Sequence, residues 1–169
     1  VKPSMTTPLC CMKLVELVHK AGLPKEWCQV CCGDNDVAEK LVTDSRINFF
    51  SFIGSAKVGW MLRSKLAPGV RCALEHGGAA PVIMDKTVDI DQAIPALVKG
   101  GFYHAGQVCV SVQRVFVPEN IAKDVATKIA KAASDLVVGD PTKEETDVGP
   151  LILPREVERV TSWLSLIHI

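Results

Sequence analysis

The sequence predicts an α/β fold with mainly parallel strands. Helix-like and strand-like patterns alternate along the chain, the links between them are short, and nothing repeats at a fixed period. Consecutive parallel strands need a crossover between them, and the helical stretches are placed to supply it.

The elements follow in order. Thr7-Pro8 opens a helix whose broad apolar face carries Leu9, Met12, Leu14, Leu17 and Val18. Gly22 and Pro24 end it, as a C-terminal glycine followed by a breaker. Trp27 to Cys32 reads as a short buried strand stopped by "GDND", and Val37 to Val42 as a short helix. "INFFSFIG" is rich in β-formers, and "SAKVGWMLRSKLA" is helical. "GVRCALEHGG" and "APVIMD" are strand-like. "DIDQAIPALVKGGFYHAG" is a helix opened by aspartate, in which Pro95 must occupy the first turn or kink the axis. "VSVQRVFVP" alternates with period two. "NIAKDVATKIAKAASDLV" is an amphipathic helix with Asn120 as its N-cap, closed by "VGDP". The last residues, 165–169 ("SLIHI"), follow "VERVTSWL" without turn chemistry and read as a tail unrelated to the domain.

Composition narrows the function classes. The chain has 169 residues, 48% apolar and 22% charged, with zero formal net charge, which suits a globular domain or pieces of two. Lysine and arginine are scattered, so nucleic acid is not an expected partner. No apolar run reaches the roughly 18 residues of a membrane span. "VKPSMTTPLCC" lacks the plan of a signal peptide and reads as the middle of a longer protein. Seven cysteines, some adjacent, suit a reduced, cytoplasmic protein better than a disulfide framework. Cys28, Cys31 and Cys32 form C-x-x-C-C, but no second Cys/His pair follows at zinc-site spacing, so no metal is expected.

Three segments carry chemistry. "FIGSAKVG", Phe52 to Gly59, places Gly54-Ser55 between a strand and a helix, where unpaired N–H groups can receive a phosphate. It is not G-x-G-x-x-G, and most α/β proteins turn from strand to helix through a glycine whatever they bind. "LEHGG" ends a strand with Glu75, in position to face a crevice or simply to precede a turn. "AGQVC" sets Cys109 where a helical run breaks. A free thiol commonly just packs. An ordinary one is only a few per cent thiolate at neutral pH, and needs a base or aligned dipoles to become an efficient nucleophile.

In one order, "VKPS", "FIGSAKVG", "LEHGG", "GQVC" and "VGDPTKEETDVGPLI" resemble the aldehyde dehydrogenase superfamily, from Val1 to about Leu164. The most specific parts are Glu-x-Gly-Gly and Gly-Gln-x-Cys, with Glu75 and Cys109 thirty-four residues apart, and the "GDP…TDVGPLI" segment. The resemblance implies a piece of that fold, with parts of two mainly parallel sheets and flanking helices. Residues 1–77 would be the C-terminal part of a Rossmann-like NAD(P)-binding domain, and 78–164 the N-terminal part of a catalytic domain.

It further implies aldehyde oxidation to a carboxylic acid with NAD or NADP. Cys109 would be the nucleophile, forming a thiohemiacetal and then a thioester, and its backbone N–H one oxyanion donor. Glu75 would be the general base. Lys2 would reach the adenosine ribose, Gly54, Ser55 and Gly59 the pyrophosphate, and Val58 would pack near the adenine. "GDPTKEETDVGPLI" would be structural. The full-length protein would be a homo-oligomer, dimer or tetramer, and these residues alone would be inactive and poorly soluble.

Three positions depart from the family pattern. Met5 stands where many NAD-preferring members carry a ribose-binding glutamate, which leaves NADP open. His76 replaces the usual apolar residue beside the glutamate, either packing or hydrogen-bonding locally, or tuning Glu75. His104 stands where asparagine is common. Two other readings compete: a coenzyme A-acylating member, which Glu75 disfavours, and a non-catalytic member, which the pairing of Cys109 with Glu75 disfavours.

Overall fold

The structure is a computed structural model and describes residues 1–166. It divides into two compact units, Val1–His76 and a second beginning at Gly77.

In the first unit, α1 (Leu9–Lys20) starts behind Pro8, buries Val15, and stops where Gly22 takes φ +104°. That conformation is open to glycine and costly to other residues, which is why the helix ends there. The expected strand at Trp27–Cys32 does not form. A single 3-10 turn, Lys25–Trp27, leads into extended chain with no strand ladder, and Trp27 and Cys31 are exposed. Its backbone bonds go elsewhere: the Cys31 N–H donates to Val1 O at 2.9 Å, and His19 Nε2 meets Cys28 O at 2.7 Å. Short apolar runs specify a strand only when a neighbouring strand receives them, and here the N-terminal segment meets this stretch through the single residue Val1, whose amino group donates to Gln29 O and whose carbonyl accepts from the Cys31 N–H.

Asp34 caps α2 (Asn35–Thr43), accepting from the Val37 N–H at 3.0 Å. β1 (Phe49–Ile53) and β2 (Arg71–Glu75) pair in parallel, Phe49 against Arg71 through Ile53 against Glu75. α3 (Ala56–Arg63) is the crossover and buries Gly59 and Leu62, while Phe50 is buried from β1. Pairing is parallel because α3 carries the chain back along the sheet before β2 begins.

In the second unit, β3 (Pro81–Ile83) and β4 (Arg114–Phe116) form another parallel pair. α4 (Ile90–Phe102) lies between them in sequence and packs against α5 (Glu119–Ser134). Met84, Ile94, Leu97, Val98 and Val125 make the core. Asp89 caps α4 by accepting from the N–H groups of Asp91 and Gln92. Pro95 is the sixth residue of the continuous helix, one turn beyond the expected place. The bond it cannot donate would have gone to Asp91 O; the tertiary packing of Ile94, Leu97 and Val98 outweighs that loss.

α5 begins at Glu119 behind Pro118, whose φ of −55° already suits a helix entry, so Asn120 is a helical residue and not the cap. After α5 the chain doubles back on itself. Val137 N–H donates to Asp147 Oδ2 at 2.9 Å, Val137 O accepts from Asp147 and Val148, and Thr146 Oγ1 donates to Asp140 O at 2.7 Å. The loop then enters α6 (Arg155–Ser165). The helix includes the first residue of the 165–169 tail; 167–169 lie outside the described residues.

Both sheets have two strands, and Ile53 and Ile83 are about four-fifths exposed (79% and 81%), so their apolar faces lack cover. Among the described residues, no helix is long and apolar enough to cross a membrane, and no three or more His, Cys, Asp or Glu side chains converge as a metal site.

Candidate active site

The first unit holds Lys2, the turn from Gly54 to Gly59, and Glu75. β1 and β2 are parallel and end together, so the turn leaving β1 and the last residue of β2 share one edge. Gly54 N–H donates to Glu75 O at 3.1 Å, which closes that edge. Ser55 caps α3, its Oγ accepting from the Val58 N–H at 3.4 Å. Its first turn contains no acidic residue and includes the exposed Lys57. An exposed helix start with a neutral cap and a lysine is electrostatically suited to an anion. Val58 is 39% exposed, while the next residue, Gly59, is buried.

Two glycines here stand against close side-chain neighbours. A Cβ on Gly54 would meet Phe52 Cζ at 2.6 Å, and one on Gly59 would meet His76 Cε1 at 2.4 Å and Phe52 Cδ1 at 3.1 Å. His76 thus closes over α3 and lies 5.7 Å, centroid to centroid, from the Trp60 ring. Both its ring nitrogens are buried without a hydrogen-bond partner, so it packs and does not hydrogen-bond. Lys2 is half-buried, with Nζ turned to Pro3 O, and Met5 is exposed.

The second unit holds the loop that carries Cys109. α4 ends at Phe102, four residues earlier than its sequence pattern extends, and the chain reverses through His104 (φ 51°), Ala105 (φ 55°) and Gly106 (φ 70°). Left-handed backbone at two side-chain-bearing residues costs about 1–2 kcal/mol each. Such strain persists only where surrounding bonds hold it. Gln107 supplies them: its N–H and its Nε2 both donate to His104 O, at 3.1 and 3.2 Å.

Cys109 follows, exposed, in a turn. Among the described residues, its N–H meets no backbone acceptor. The loop is seated on both flanks. A Cβ on Gly78 would lie 2.9 Å from Cys109 O, so only glycine admits that carbonyl. Gln113 Nε2 donates to Gly78 O at 2.8 Å, and Val112 N–H to Gly100 O at 3.0 Å. Ser111 is buried (2% exposed) and its Oγ has no partner.

Exposure does not single out Cys109, because Cys10, Cys31 and Cys32 are exposed as well. Glu75 lies at the end of the first unit and Cys109 in the second. The sequence reading passed over Gln107 and Gln113. Their signal was a glutamine beside Cys109 and another beyond it, but their partners, the Ile152 N–H for Gln107 and Gly78 O for Gln113, lie 45 and 35 residues away in sequence.

The family model described as "Aldehyde dehydrogenase family" matches residues 1–168. A 3-sulfolactaldehyde dehydrogenase of Priestia aryabhattai is 42% identical over 166 residues, covering 97% of this chain and 34% of that protein. A betaine aldehyde dehydrogenase of Cereibacter sphaeroides (strain ATCC 17025 / ATH 2.4.3) is 38% identical over 164 residues, covering 96% and 34%. Among solved structures, the glyceraldehyde-3-phosphate dehydrogenase GapN from Methanocaldococcus jannaschii DSM 2661, complexed with NADP, matches with TM-score 0.87 at 37% identity, covering 97% of this chain and 37% of that one. An NAD-dependent aldehyde dehydrogenase from Sinorhizobium meliloti matches with TM-score 0.89 at 31% identity, covering 97% and 33%. The chain spans about a third of the length of these relatives. With nearly every residue matched and the two parallel strand pairs in common with those folds, the chain belongs to the aldehyde dehydrogenase family.

Proposed function

We propose that the whole protein oxidises an aldehyde to a carboxylic acid, with NAD(P)⁺ as oxidant and Cys109 as nucleophile. The observation that carries the reading is the shared edge in the first unit. The helix start suited to a phosphate and the Glu75 carboxylate stand at the carboxyl ends of one parallel strand pair, where α/β sheets bind ligands. Family membership and the strained, glycine-seated loop that presents Cys109 agree with it.

The residues present fit a dinucleotide. Gly54 and Ser55 make the helix entry for the pyrophosphate, with Gly59 buried in the helix behind it, Val58 offers an apolar surface for the adenine, and Lys2 supplies a cation for the ribose side. When bound, NAD(P)⁺ accepts the hydride that leaves the substrate carbon.

The thiolate of Cys109 adds to the aldehyde carbon, forming a C–S bond while the carbonyl electron pair moves to oxygen. The Cys109 N–H donates to that oxygen, where charge develops only on attack. Loss of hydride restores the C=O bond and leaves a thioester on Cys109. Glu75 takes a proton from water, the resulting hydroxide adds to the thioester, and the C–S bond breaks to release the acid and the thiolate.

Iodoacetamide labelling of the full-length protein tests the nucleophile. Cys10, Cys31 and Cys32 are exposed in this chain too, so they serve as internal reference thiols for the rate at Cys109. Cys109 is expected to label well ahead of the other six thiols, and Cys109→Ser to abolish turnover. Equal labelling and an active serine variant would return Cys109 to the inert thiols.

A further inference from the structure

We infer that Gln107 is a positioning residue for Cys109, tying the nucleophile loop to the segment "GDPTKEETDVGPLI" so that this segment serves as part of the active-site scaffold. The inference rests on Cys109 being the nucleophile. It turns on one contact: Gln107 Oε1 accepts from the Ile152 N–H at 3.2 Å, across 45 residues of sequence.

The amide of Gln107 works in two directions. Through Nε2 and its own N–H it holds His104 O, which closes the left-handed turn. Through Oε1 it reaches the C-terminal loop. A glutamine, with donor and acceptor on one planar group, does both; a carboxylate or an aliphatic side chain of the same length does not.

Ile152 is itself held. The loop before it is stapled to the exit of α5 by the Val137–Asp147 pair, by Gly139 N–H donating to Val148 O at 3.1 Å, and by Thr146 Oγ1 on Asp140 O. Gly139 is hemmed in as well, since a Cβ there would lie 3.2 Å from Thr146 Oγ1. The same loop is therefore tied at Asp147 to the exit of α5 and, five residues on, at Ile152 to Gln107, two residues before Cys109. On the other flank the loop is seated by Gly78 and Gln113. The strained turn between these flanks has no α-helical hydrogen bonding of its own to keep it, so the side-chain anchor decides where the thiol stands.

The test uses the full-length enzyme with Gln107→Met, Gln107→Glu, Asp147→Ala and the double variant Gln107→Met/Asp147→Ala. Turnover, NAD(P)⁺ affinity and thermal midpoint are measured, with the alkylation rate of Cys109 taken relative to Cys31 in the same molecule. Gln107→Met is expected to lower kcat and the relative alkylation rate about 10- to 100-fold, as a misplaced reacting group does, with NAD(P)⁺ affinity unchanged. Gln107→Glu, which keeps an acceptor for Ile152, should lose less. Asp147→Ala should lower both quantities modestly and add nothing to Gln107→Met, because the two act through one link.

Wild-type kcat and alkylation in Gln107→Met, or full additivity in the double variant, overturns the inference while leaving the nucleophile in place. Full turnover in Cys109→Ser removes the nucleophile, and the positioning role with it. If Gln107→Met does not fold, Gln107→Glu and Asp147→Ala are read by the same two measures: a fall in both supports the link, and wild-type values in both overturn it.

Discussion

The imidazole of His76 occupies the space that a side chain on Gly59 would need, its Cε1 lying 2.4 Å from the position of that missing Cβ. The ring has also left both nitrogens buried and unpartnered beside Trp60. Residue 76 and residue 59 therefore form one packed joint between the end of β2 and the start of α3.

Two substitutions probe that joint in opposite directions. In an open helix, alanine for glycine gains roughly 1 kcal/mol. Here Gly59→Ala should lower the thermal midpoint, because the ring must move. His76→Leu keeps an apolar body and removes two unsatisfied nitrogens, each costing about 1–3 kcal/mol when buried. It should raise the midpoint. A stabilised Gly59→Ala would show that the ring yields easily and that the joint is loose.

Glu75→Gln in the full-length protein should stop the second half of the reaction and spare the first. A burst of NAD(P)H followed by stalled turnover, with an acyl adduct on Cys109 detected by mass spectrometry, is the expected result. Unchanged steady-state hydrolysis would take Glu75 out of the base role.

Met5 is exposed on the segment that carries Lys2. On the proposed cofactor reading, in which Lys2 serves the ribose side, a glutamate there would set a carboxylate against a 2′-phosphate. Met5→Glu should shift the kcat/KM ratio toward NAD⁺ and away from NADP⁺, by roughly tenfold if the like-charge contact costs about 1.4 kcal/mol. An unaltered ratio would place residue 5 outside cofactor choice.

Asp140 is held below the ordinary carboxylate range, first by the Thr142 N–H and then by its hydroxyl. Asp85 is lowered in the same kind of turn, first by the Thr87 hydroxyl and then by its N–H. A depressed folded-state pKa gives stability that is present above the unfolded value and lost as pH falls through the folded one. Thermal midpoints followed from pH 6 downward should fall below about pH 4, near the unfolded Asp value. Thr142→Val and Thr87→Val should flatten part of that fall. Identical acid limbs in wild type and both variants would remove these turns from the acid response.

The amino-acid sequence by itself determined the order of the elements and their ends wherever the cause is local. Asp34, Ser55 and Asp89 cap helices because each carboxylate or hydroxyl reaches an N–H two or three residues on, and Gly22 ends α1 because its own backbone permits φ +104°. The parallel strand pairs follow from alternation with crossover helices, and the family motifs were legible as ordered short strings.

The features that local sequence leaves open involve partners far apart along the chain. Trp27–Cys32 has strand composition, yet no neighbouring strand receives it. α4 stops at Phe102 although its pattern runs on, because Gln107 and the segment around Ile152 hold the left-handed turn that follows. His76 could have hydrogen-bonded, but Gly59 left a space that its ring fills instead. Periodicity and capping depend on neighbours a few residues away and can be read along the chain. Which carbonyl a glutamine finds, or which side chain fills the space above a glycine, depends on what folding brings alongside.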